Sequence, residues 1–234
     1  MNQASAEEDT SLPPGLYLVA SPIGNLGDIT VRALTCLRSV DRIACEDTRH
    51  TLRLLNHYEI RKPLVSLHEH NEAKRSSELI RAIQTDGERI AYVSDAGMPA
   101  ISDPGERLVH LCIEADVAYD LLPGPSAPTT AAVGAGLGTT PFVFAGFLPT
   151  KRGQRTNQLQ IALERSETTV FFESPHRILG TLELLAELAP DRLICVAREL
   201  TKKFQEYRRQ PASEALEHYR QKPPKGEICL VISP

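Results

Sequence analysis

Length, composition and charge narrow the class of protein. The chain has 234 residues, of which 41% are hydrophobic and 24% charged, values typical of a globular protein with one or two domains. The net charge of −4 excludes a globally basic nucleic-acid-binding protein, so any RNA contact must come from a local patch. No apolar run is long enough to span a membrane, and residues 1–11 are polar and acidic, unlike a signal peptide, which predicts a cytoplasmic protein without membrane contact.

The first half of the chain alternates predicted strands and helices. A disordered leader is predicted over residues 1–14. Predicted strands then occupy 16–20, 42–45, 64–67, 89–93, 117–122 and 142–145. Thr30 is a good N-cap for the first helix, and further helices are predicted around 51–57, around 79–83, after 104–106 with Pro104 in the first turn, and over 129–137.

The second half resumes the same alternation after a predicted linker at 146–153. Helices are predicted at 157–165 and 178–188, and strands at 169–172, 193–197 and 227–232, with an unassigned strand or helix region before the last strand. This pattern predicts two α/β domains, one over 15–147 and one over 148–234.

One loop carries far more special backbone chemistry than a simple connection needs. Between a predicted strand and a predicted helix, the segment 94–105 holds two Ser-Asp pairs, two glycines and two prolines. Carboxylates at the carboxyl end of a parallel strand face the usual ligand crevice of an open α/β sheet. The segment therefore favours a ligand-binding loop, although a long capped connection is the alternative.

Two other ligand types are disfavoured. The first strand is followed by Gly24 and Gly27, which form only G-x-x-G and not the fingerprint of a nicotinamide-binding fold. His68 and His70 share one face of a predicted strand, but no third ligand stands at recognisable spacing, so no metal is expected.

The five cysteines form no CxxC pair and lie in apolar surroundings, which favours reduced, buried thiols.

Seven motifs in one order resemble the small-subunit ribosomal RNA methyltransferases of the tetrapyrrole methylase superfamily. They lie at 16–30, 46–49, 94–105, 123–127, 146–149, 173–177 and 197–203, so the resemblance covers nearly everything from Gly15 onward. Met98 and Ser21 stand where the family pattern usually has Thr. The resemblance also implies a small further segment after Pro234.

The resemblance implies a fold and an activity. It implies two α/β domains of tetrapyrrole-methylase type, with S-adenosylmethionine in the cleft between them. It implies methylation of a cytidine ribose 2′-hydroxyl in the decoding region of 16S ribosomal RNA. The expected partner is this RNA within the assembled small subunit, with free RNA as the alternative. A homodimer in the cytoplasm is implied as well.

Three loops and two later strands are predicted to bind the cofactor. Backbone amides of glycine-rich loops suit its carboxylate, and Asp oxygens suit its cationic centres. The predicted cofactor residues are Pro22, Ile23, Gly24, Asn25, Ser94, Asp95, Ala96, Gly97, Met98, Ser102, Asp103, Pro123, Gly124, Ser126, Ala127, Phe172 and Ile228. Asp95 is expected to contact cofactor or substrate, and Asp103 to help hold the loop.

The catalytic and RNA-binding candidates lie in the second half. Glu173 or His176 is predicted to accept the ribose proton, directly or through water. Lys202, together with Arg177, is predicted to hold the RNA phosphate that flanks the target ribose. Glu173 as a helix cap, with His176 and Arg177 as partners of neighbouring carboxylates, is the alternative. The predicted RNA contacts are Lys151, Arg152, Arg155, Arg177, Arg198 and Lys203, which could equally be a solvated charged face.

Two other functions stay open. Another enzyme of the superfamily, acting on a tetrapyrrole carbon or a protein residue, would share the cofactor site and differ in the acceptor cleft. A non-catalytic RNA-binding module is disfavoured, because aromatic residues make up only 5% of the chain and no aromatic run of RNA-binding type is present.

Overall fold

The computed structural model describes residues 12–234, which form two compact units. The first unit comprises the chain up to Pro22 together with Leu26–Pro125, and the second comprises Ile23–Asn25 together with Ser126–Pro234. Residues 1–11 of the predicted leader lie outside the described residues.

A five-stranded parallel sheet forms the centre of the first unit. Its strands are β1 (Gly15–Val19), β2 (Arg42–Cys45), β3 (Leu64–Ser66), β4 (Arg89–Val93) and β5 (Tyr119–Leu122), in the order β3-β2-β4-β1-β5. All pairs are parallel, so every strand ends at the same edge of the sheet. Both faces are covered by apolar clusters, which explains why β1 and β4 are near-continuous apolar runs.

Four helices of the first unit follow from local sequence signals. They are α1 (Val31–Ser39), α2 (Thr48–His57), α3 (Glu72–Asp86) and α4 (Glu106–Glu114). Thr30 caps α1 as predicted, its side chain accepting a hydrogen bond from the Ala33 N–H. The helix α2 begins earlier than predicted, because Asp47 is its N-cap. Gly105 is the N-cap of α4, so Pro104 precedes that helix and is not in its first turn.

The second unit contains a mixed sheet. Its strands are β6 (Phe142–Phe147), β7 (Thr168–Glu173), β8 (Leu193–Arg198), β9 (Glu206–Pro211) and β10 (Ile228–Ile232), in the order β6-β7-β10-β8-β9. Only the β6–β7 pair is parallel. The helices are α5 (Ala127–Ala135), α6 (Arg152–Leu163), α7 (Ile178–Leu188) and α8 (Ala212–Gln221). The unassigned region before the last strand is therefore β9 followed by α8.

The two faces of this second sheet alternate residue by residue. Val170, Cys195 and Val231 belong to the cluster that α5 covers with small alanine side chains. Their neighbours Phe171 and Leu230 belong to the cluster covered by α6, α7 and α8. This period of two places Phe172 on the α5 face.

The division between the units differs from the predicted boundary near 146–152. It falls between Pro125 and Ser126, because α5 packs against β7, β8 and β10, and β6 pairs with β7. The predicted linker is partly strand, since β6 continues to Phe147. Periodicity locates elements along the chain, but it does not reveal which sheet a connecting helix covers.

For residues 12–234, the structure bears on the predictions about the cysteines, membrane-spanning segments and metal sites. All five cysteines are free and buried, and burial raises the pKa of Cys36 and of Cys229 to about 12, so both stay protonated at neutral pH. Within this range no helix is long and apolar enough to cross a membrane, and no group of three or more potential ligands could hold a metal ion.

Candidate functional site

The loops after β1 and β4 are locked together at the carboxyl edge of the first sheet. The Ser21 N–H donates to the Gly97 carbonyl (2.9 Å), and the Gly97 N–H donates to the Ser21 carbonyl (3.1 Å). The Ser21 hydroxyl also donates to the Ser94 carbonyl (3.1 Å). Ser94 is 1% exposed, so this predicted cofactor residue supports the loop from inside.

The segment after β4 holds several residues in the left-handed region of backbone space. Gly97 (φ +81°) and Gly105 (φ +127°) adopt it freely, but Ala100 (φ +65°) and Ser102 (φ +64°) each sustain a cost of roughly 1–2 kcal/mol. Strain of this kind persists where the surroundings fix the backbone, and it concentrates at ligand-binding loops.

Tyr92 and Glu72 fix this segment from below. The Tyr92 hydroxyl donates to the Pro104 carbonyl (2.8 Å), and Glu72 Oε1 accepts from the Gly105 N–H (3.0 Å). A Cβ on Gly105 would lie 2.7 Å from the Tyr92 ring, so only glycine permits this approach. The sequence predicts that Asp103 helps to hold this loop. Its side chain, however, makes no hydrogen bond within residues 12–234, and Tyr92 and Glu72 make these contacts instead.

Four carboxylates gather after β2 and β4. Asp95 Oδ1 accepts from the Asp47 N–H (3.2 Å), which ties the two loops together. Burial raises the pKa of Asp103 to about 6, and the negative charges of Glu46 and Asp95 add to this effect. Burial likewise raises the pKa of Glu46, with a further contribution from Asp95. Asp47 pairs with Arg49 (2.7 Å), whereas Glu46, Asp95 and Asp103 have no ion-pair partner in residues 12–234, which suits a cationic ligand.

The loop after β5 approaches the same edge. A Cβ on Gly124 would lie 2.8 Å from the Cβ of Ala20, and the Ala20 N–H donates to the Leu122 carbonyl (3.2 Å). Glycine is therefore required for Pro123 and Gly124 to pass the end of β1. Ser126 and Ala127, predicted with them, belong to the second unit at the start of α5.

In the second unit, the Ile23–Asn25 segment packs on the loop after β8. A Cβ on Gly24 would lie 2.4 Å from Lys202 Cγ and 2.9 Å from the Leu200 carbonyl oxygen. The Asn25 N–H donates to Thr201 Oγ1 (3.0 Å). The predicted cofactor residues Ile23, Gly24 and Asn25 therefore lie beside the predicted catalytic residue Lys202.

Lys202 is held between two carboxylates. Its Nζ lies 3.0 Å from Glu199 Oε1 and 3.0 Å from Glu227 Oε2. Burial alone would lower the pKa of Lys202, but its hydrogen bonds to Glu199 and Glu227 raise it overall. The side chain is thus a fixed ammonium and does not serve as a proton acceptor at neutral pH.

Glu173 and Arg177 form a clamp inside the second unit. The Glu173 side chain is 0% exposed, and its oxygens accept from the Ser174 N–H (2.8 Å) and the Thr181 hydroxyl (2.7 Å). Arg177 Nε lies 3.3 Å from Glu173 Oε1, and Arg177 Nη2 donates to the carbonyls of Leu148 and Pro149. Glu173 is therefore not a helix cap, because the N-cap of α7 is Arg177. The part of the alternative that pairs Arg177 with a neighbouring carboxylate matches the structure.

His176 and Phe172 keep accessible side chains, whereas Ile228 does not. His176 is exposed, and its imidazole has no hydrogen-bond partner in the described part of the chain. The Phe172 ring lies 4.8 Å from Phe144 and 5.2 Å from Phe147, measured between centroids. Ile228 is buried in the core on the opposite face and paired with strands on both sides, so its side chain cannot line a site.

The predicted RNA-binding residues divide into paired and free cations. Arg152 pairs with Glu187 (3.0 Å), Arg198 pairs with Glu206 (3.2 Å), and Arg155 donates to the Thr150 carbonyl and the Thr181 hydroxyl. Lys151 is exposed without an ion-pair partner in residues 12–234. Lys203 is exposed as well, with its Nζ 5.6 Å from the centroid of the Phe204 ring.

Several residues of the site escaped prediction. Tyr92 and Glu72 belong to elements that sequence reasoning treated as core strand and amphipathic helix. Glu46 follows a strand end within a noted motif, and this position is the signal that could have identified it. Phe147 fell in the predicted linker, where an aromatic residue beside Gly146 was the available signal.

A comparison with protein-family models matches residues 15–216 to the Tetrapyrrole (Corrin/Porphyrin) Methylases. The chain belongs to the tetrapyrrole methylase family. The match spans both units, and the expectation of a tetrapyrrole-methylase-type α/β fold is confirmed.

Relatives within the family are similar over most of the chain. A protein of Thermotoga maritima named ribosomal RNA small subunit methyltransferase I is 48% identical over 219 residues, covering 93% of this chain and 97% of that protein. Proteins of the same name from Synechocystis and Bacillus subtilis are 48% and 45% identical, covering 93% of this chain and 78% and 74% of their own lengths.

Solved structures of more distant proteins share the fold. Diphthine synthase matches with a TM-score of 0.75 at 16% identity, covering 93% of this chain and 89% of that one. Uroporphyrin-III-C-methyltransferase from Thermus thermophilus matches with a TM-score of 0.68 at 20% identity, covering 94% of each chain. At these identities the likeness establishes the fold alone.

Proposed function

We propose that this protein uses S-adenosylmethionine to methylate a cytidine ribose 2′-hydroxyl in small-subunit ribosomal RNA. The observation that carries the proposal is the 48% identity to ribosomal RNA small subunit methyltransferase I of Thermotoga maritima, over nearly the full length of both chains. The substrate is the RNA within the assembled small subunit, which places the enzyme in the cytoplasm, where no membrane contact and no metal are required.

The first unit offers a donor set that fits the cofactor. S-Adenosylmethionine supplies an activated methyl group on a positively charged sulfonium. Asp95 and Asp103 would face its cationic groups, because neither carboxylate has an ion-pair partner in the described residues and the charge of Asp95 adds to the raised pKa of Asp103. Ala96 and Met98 would contact it beside them, on a loop that the Ser21–Gly97 pairing already fixes.

The second unit supplies the groups for proton handling and charge. A ribose hydroxyl loses a proton when its oxygen is methylated, so a nearby base assists the reaction. His176 is the best of the predicted acceptors, because Glu173 is engaged on both oxygens and Lys202 is a paired ammonium. Lys202 would instead stabilise negative charge, and Lys151 and Lys203 would contact RNA phosphates.

A transfer assay distinguishes this proposal from the two other functions. The protein is incubated with methyl-labelled S-adenosylmethionine and purified small ribosomal subunits, and in parallel with uroporphyrinogen III or a cytosolic protein extract. We expect label in the subunit's RNA and none in the other acceptors. Label in the tetrapyrrole or in protein would favour another superfamily activity, and RNA binding without transfer would favour a binding module.

Cofactor titration by calorimetry tests the site itself. We expect saturable binding, weakened about 10-fold or more in Asp95→Asn, since a charge-assisted hydrogen bond contributes roughly 1.5–3 kcal/mol. Undetectable binding to the parent protein would contradict the proposal. Normal binding and methylation by Asp95→Asn would remove that residue from the cofactor site.

A further inference from the structure

An exposed aromatic ring stands at the carboxyl end of β6. Phe147 is 56% exposed, and its ring packs at 57° on Phe172, which in turn packs at 64° on Phe144. The β6–β7 register shifts between Phe144 and Phe147, and Gly146 adopts φ +68° within the shift. Such an irregularity re-aims a side chain at the end of a strand.

The chain after Phe147 is fixed by buried groups. Arg177 donates to the carbonyls of Leu148 and Pro149, and the buried Glu173 carboxylate anchors Arg177. Four residues after Phe147, Lys151 is exposed without an ion-pair partner in the described chain. A rigid aromatic face and a free cation are therefore presented by one short, clamped segment.

We propose that Phe147 is a stacking platform for an unpaired RNA base, with Lys151 binding a neighbouring phosphate. Bases that a protein reads in RNA are splayed out and stacked on aromatic side chains, while lysines contact the backbone. The positive charge of Lys151 complements phosphate, and a ring that packs on Phe172 at the end of a clamped strand loses little conformational freedom on binding. The inference rests on the proposed function, since it names how that RNA is held.

A fluorescence titration tests stacking independently of methyl transfer. The chain contains no tryptophan, so Phe147→Trp introduces a single tryptophan at the platform, whose emission is excited selectively over that of the tyrosines. We expect a short oligocytidylate to quench its emission saturably. Ile113→Trp places a tryptophan at another exposed apolar position, in α4 of the first unit, and should show no saturable quenching. Equal behaviour of the two variants would overturn the proposal.

Affinity measurements with small ribosomal subunits separate stacking from mere apolar contact. Phe147→Ala and Phe147→Leu should each bind RNA about 5- to 150-fold more weakly, which corresponds to ~1–3 kcal/mol per stacked base, whereas Phe147→Tyr should match the parent. Lys151→Gln should lower the salt slope of binding by about one ion. The melting temperature of each variant is first compared with that of the parent. If Phe147→Ala unfolds, the comparison of Phe147→Leu with Phe147→Tyr still tests stacking.

The remaining outcomes identify a different occupant. If Phe147→Leu binds RNA like the parent, the ring does not stack on a base. If the variants lose S-adenosylmethionine affinity by calorimetry instead, the ring contacts the cofactor. If they change only the molecular mass in solution, the ring lies between two copies of the chain. Should the parent itself fail to methylate RNA, the proposed function fails, while the oligonucleotide titration still decides the platform.

Discussion

At the scale of single residues, Asp103 is a carboxyl group whose charged form the fold disfavours. Burial and the charges of Glu46 and Asp95 raise its pKa from 3.8 to about 6. The folded state therefore binds the proton more tightly than the unfolded state, and stability falls as the pH rises through this interval.

We expect Asp103→Asn to stabilise the protein at alkaline pH. The gain in unfolding free energy should be roughly 1–3 kcal/mol at pH 8, where the parent carboxylate is charged, and should shrink to a small fraction of that near pH 4, where the folded carboxyl is protonated and the unfolded one is only partly charged. Urea denaturation at the two pH values measures it. A loss of stability that is equal at both values would show that Asp103 makes a structural contact.

Substitutions of Glu173 and His176 distinguish a structural carboxylate from a proton acceptor. Glu173→Ala removes the anchor of Arg177 and leaves that charge uncompensated, so we expect a stability loss of about 3–5 kcal/mol, with a smaller loss for Glu173→Gln.

His176→Ala should leave the melting temperature unchanged and slow single-turnover methylation about 10²-fold or more, with cofactor affinity retained. If Glu173→Gln and His176→Ala both methylate at the parent rate, positioning alone explains the reaction.

At the scale of elements, the sequence predicts which loops bind a ligand but not which loops contact each other. Strand ends followed by Gly, Ser and Asp indicated which loops bind, because parallel strands all end at one edge. Their direct pairing, as between Ser21 and Gly97 or between Gly24 and Lys202, depends on contacts between segments more than 70 residues apart. Local patterns carry no information on such contacts, and for the same reason the buried anchor Glu173 was predicted as a catalytic base.

Gly24 provides a direct test of this packing. Gly24→Ala places a Cβ 2.4 Å from Lys202 Cγ and 2.9 Å from the Leu200 carbonyl oxygen, which cannot yield as a flexible side chain does. We expect a loss of roughly 1–3 kcal/mol in stability, as for other overpacked sites, and slower methylation through displacement of Lys202.

Gly153→Ala is the matched control. A Cβ there meets nothing within 4 Å, and the position lies in α6, so the change should be neutral or stabilise by up to about 1 kcal/mol. Thermal unfolding of both variants compares them. Equal effects would mean that the Gly24 contact does not constrain the loop.

At the scale of the whole molecule, the sequence identified the α/β class and nearly every strand but not the division into units. The alternation of strand and helix continues across Pro125, so nothing in the periodicity marks the change of sheet. What marks it is the set of alanines on α5, whose small side chains let the helix lie close to β7, β8 and β10.

The homodimer implied by the resemblance remains a prediction about the assembly. β5 is an edge strand, and it exposes Tyr119 and Leu121 on one face, at 46% and 45%. Apolar side chains on an unpaired edge favour association with a second copy. Light scattering should give twice 25.8 kDa for the parent and a lower mass for Leu121→Glu. A monomeric parent would contradict the prediction.

The most direct test of the central claim is the chemical identity of the methylated nucleoside. Small subunits from a strain lacking this enzyme are methylated in vitro with labelled S-adenosylmethionine, and their 16S RNA is digested to nucleosides and separated by liquid chromatography and mass spectrometry. We expect the label in 2′-O-methylcytidine, since the proposed acceptor is a cytidine ribose hydroxyl. Label in a base-methylated nucleoside, or in no nucleoside at all, would contradict the account.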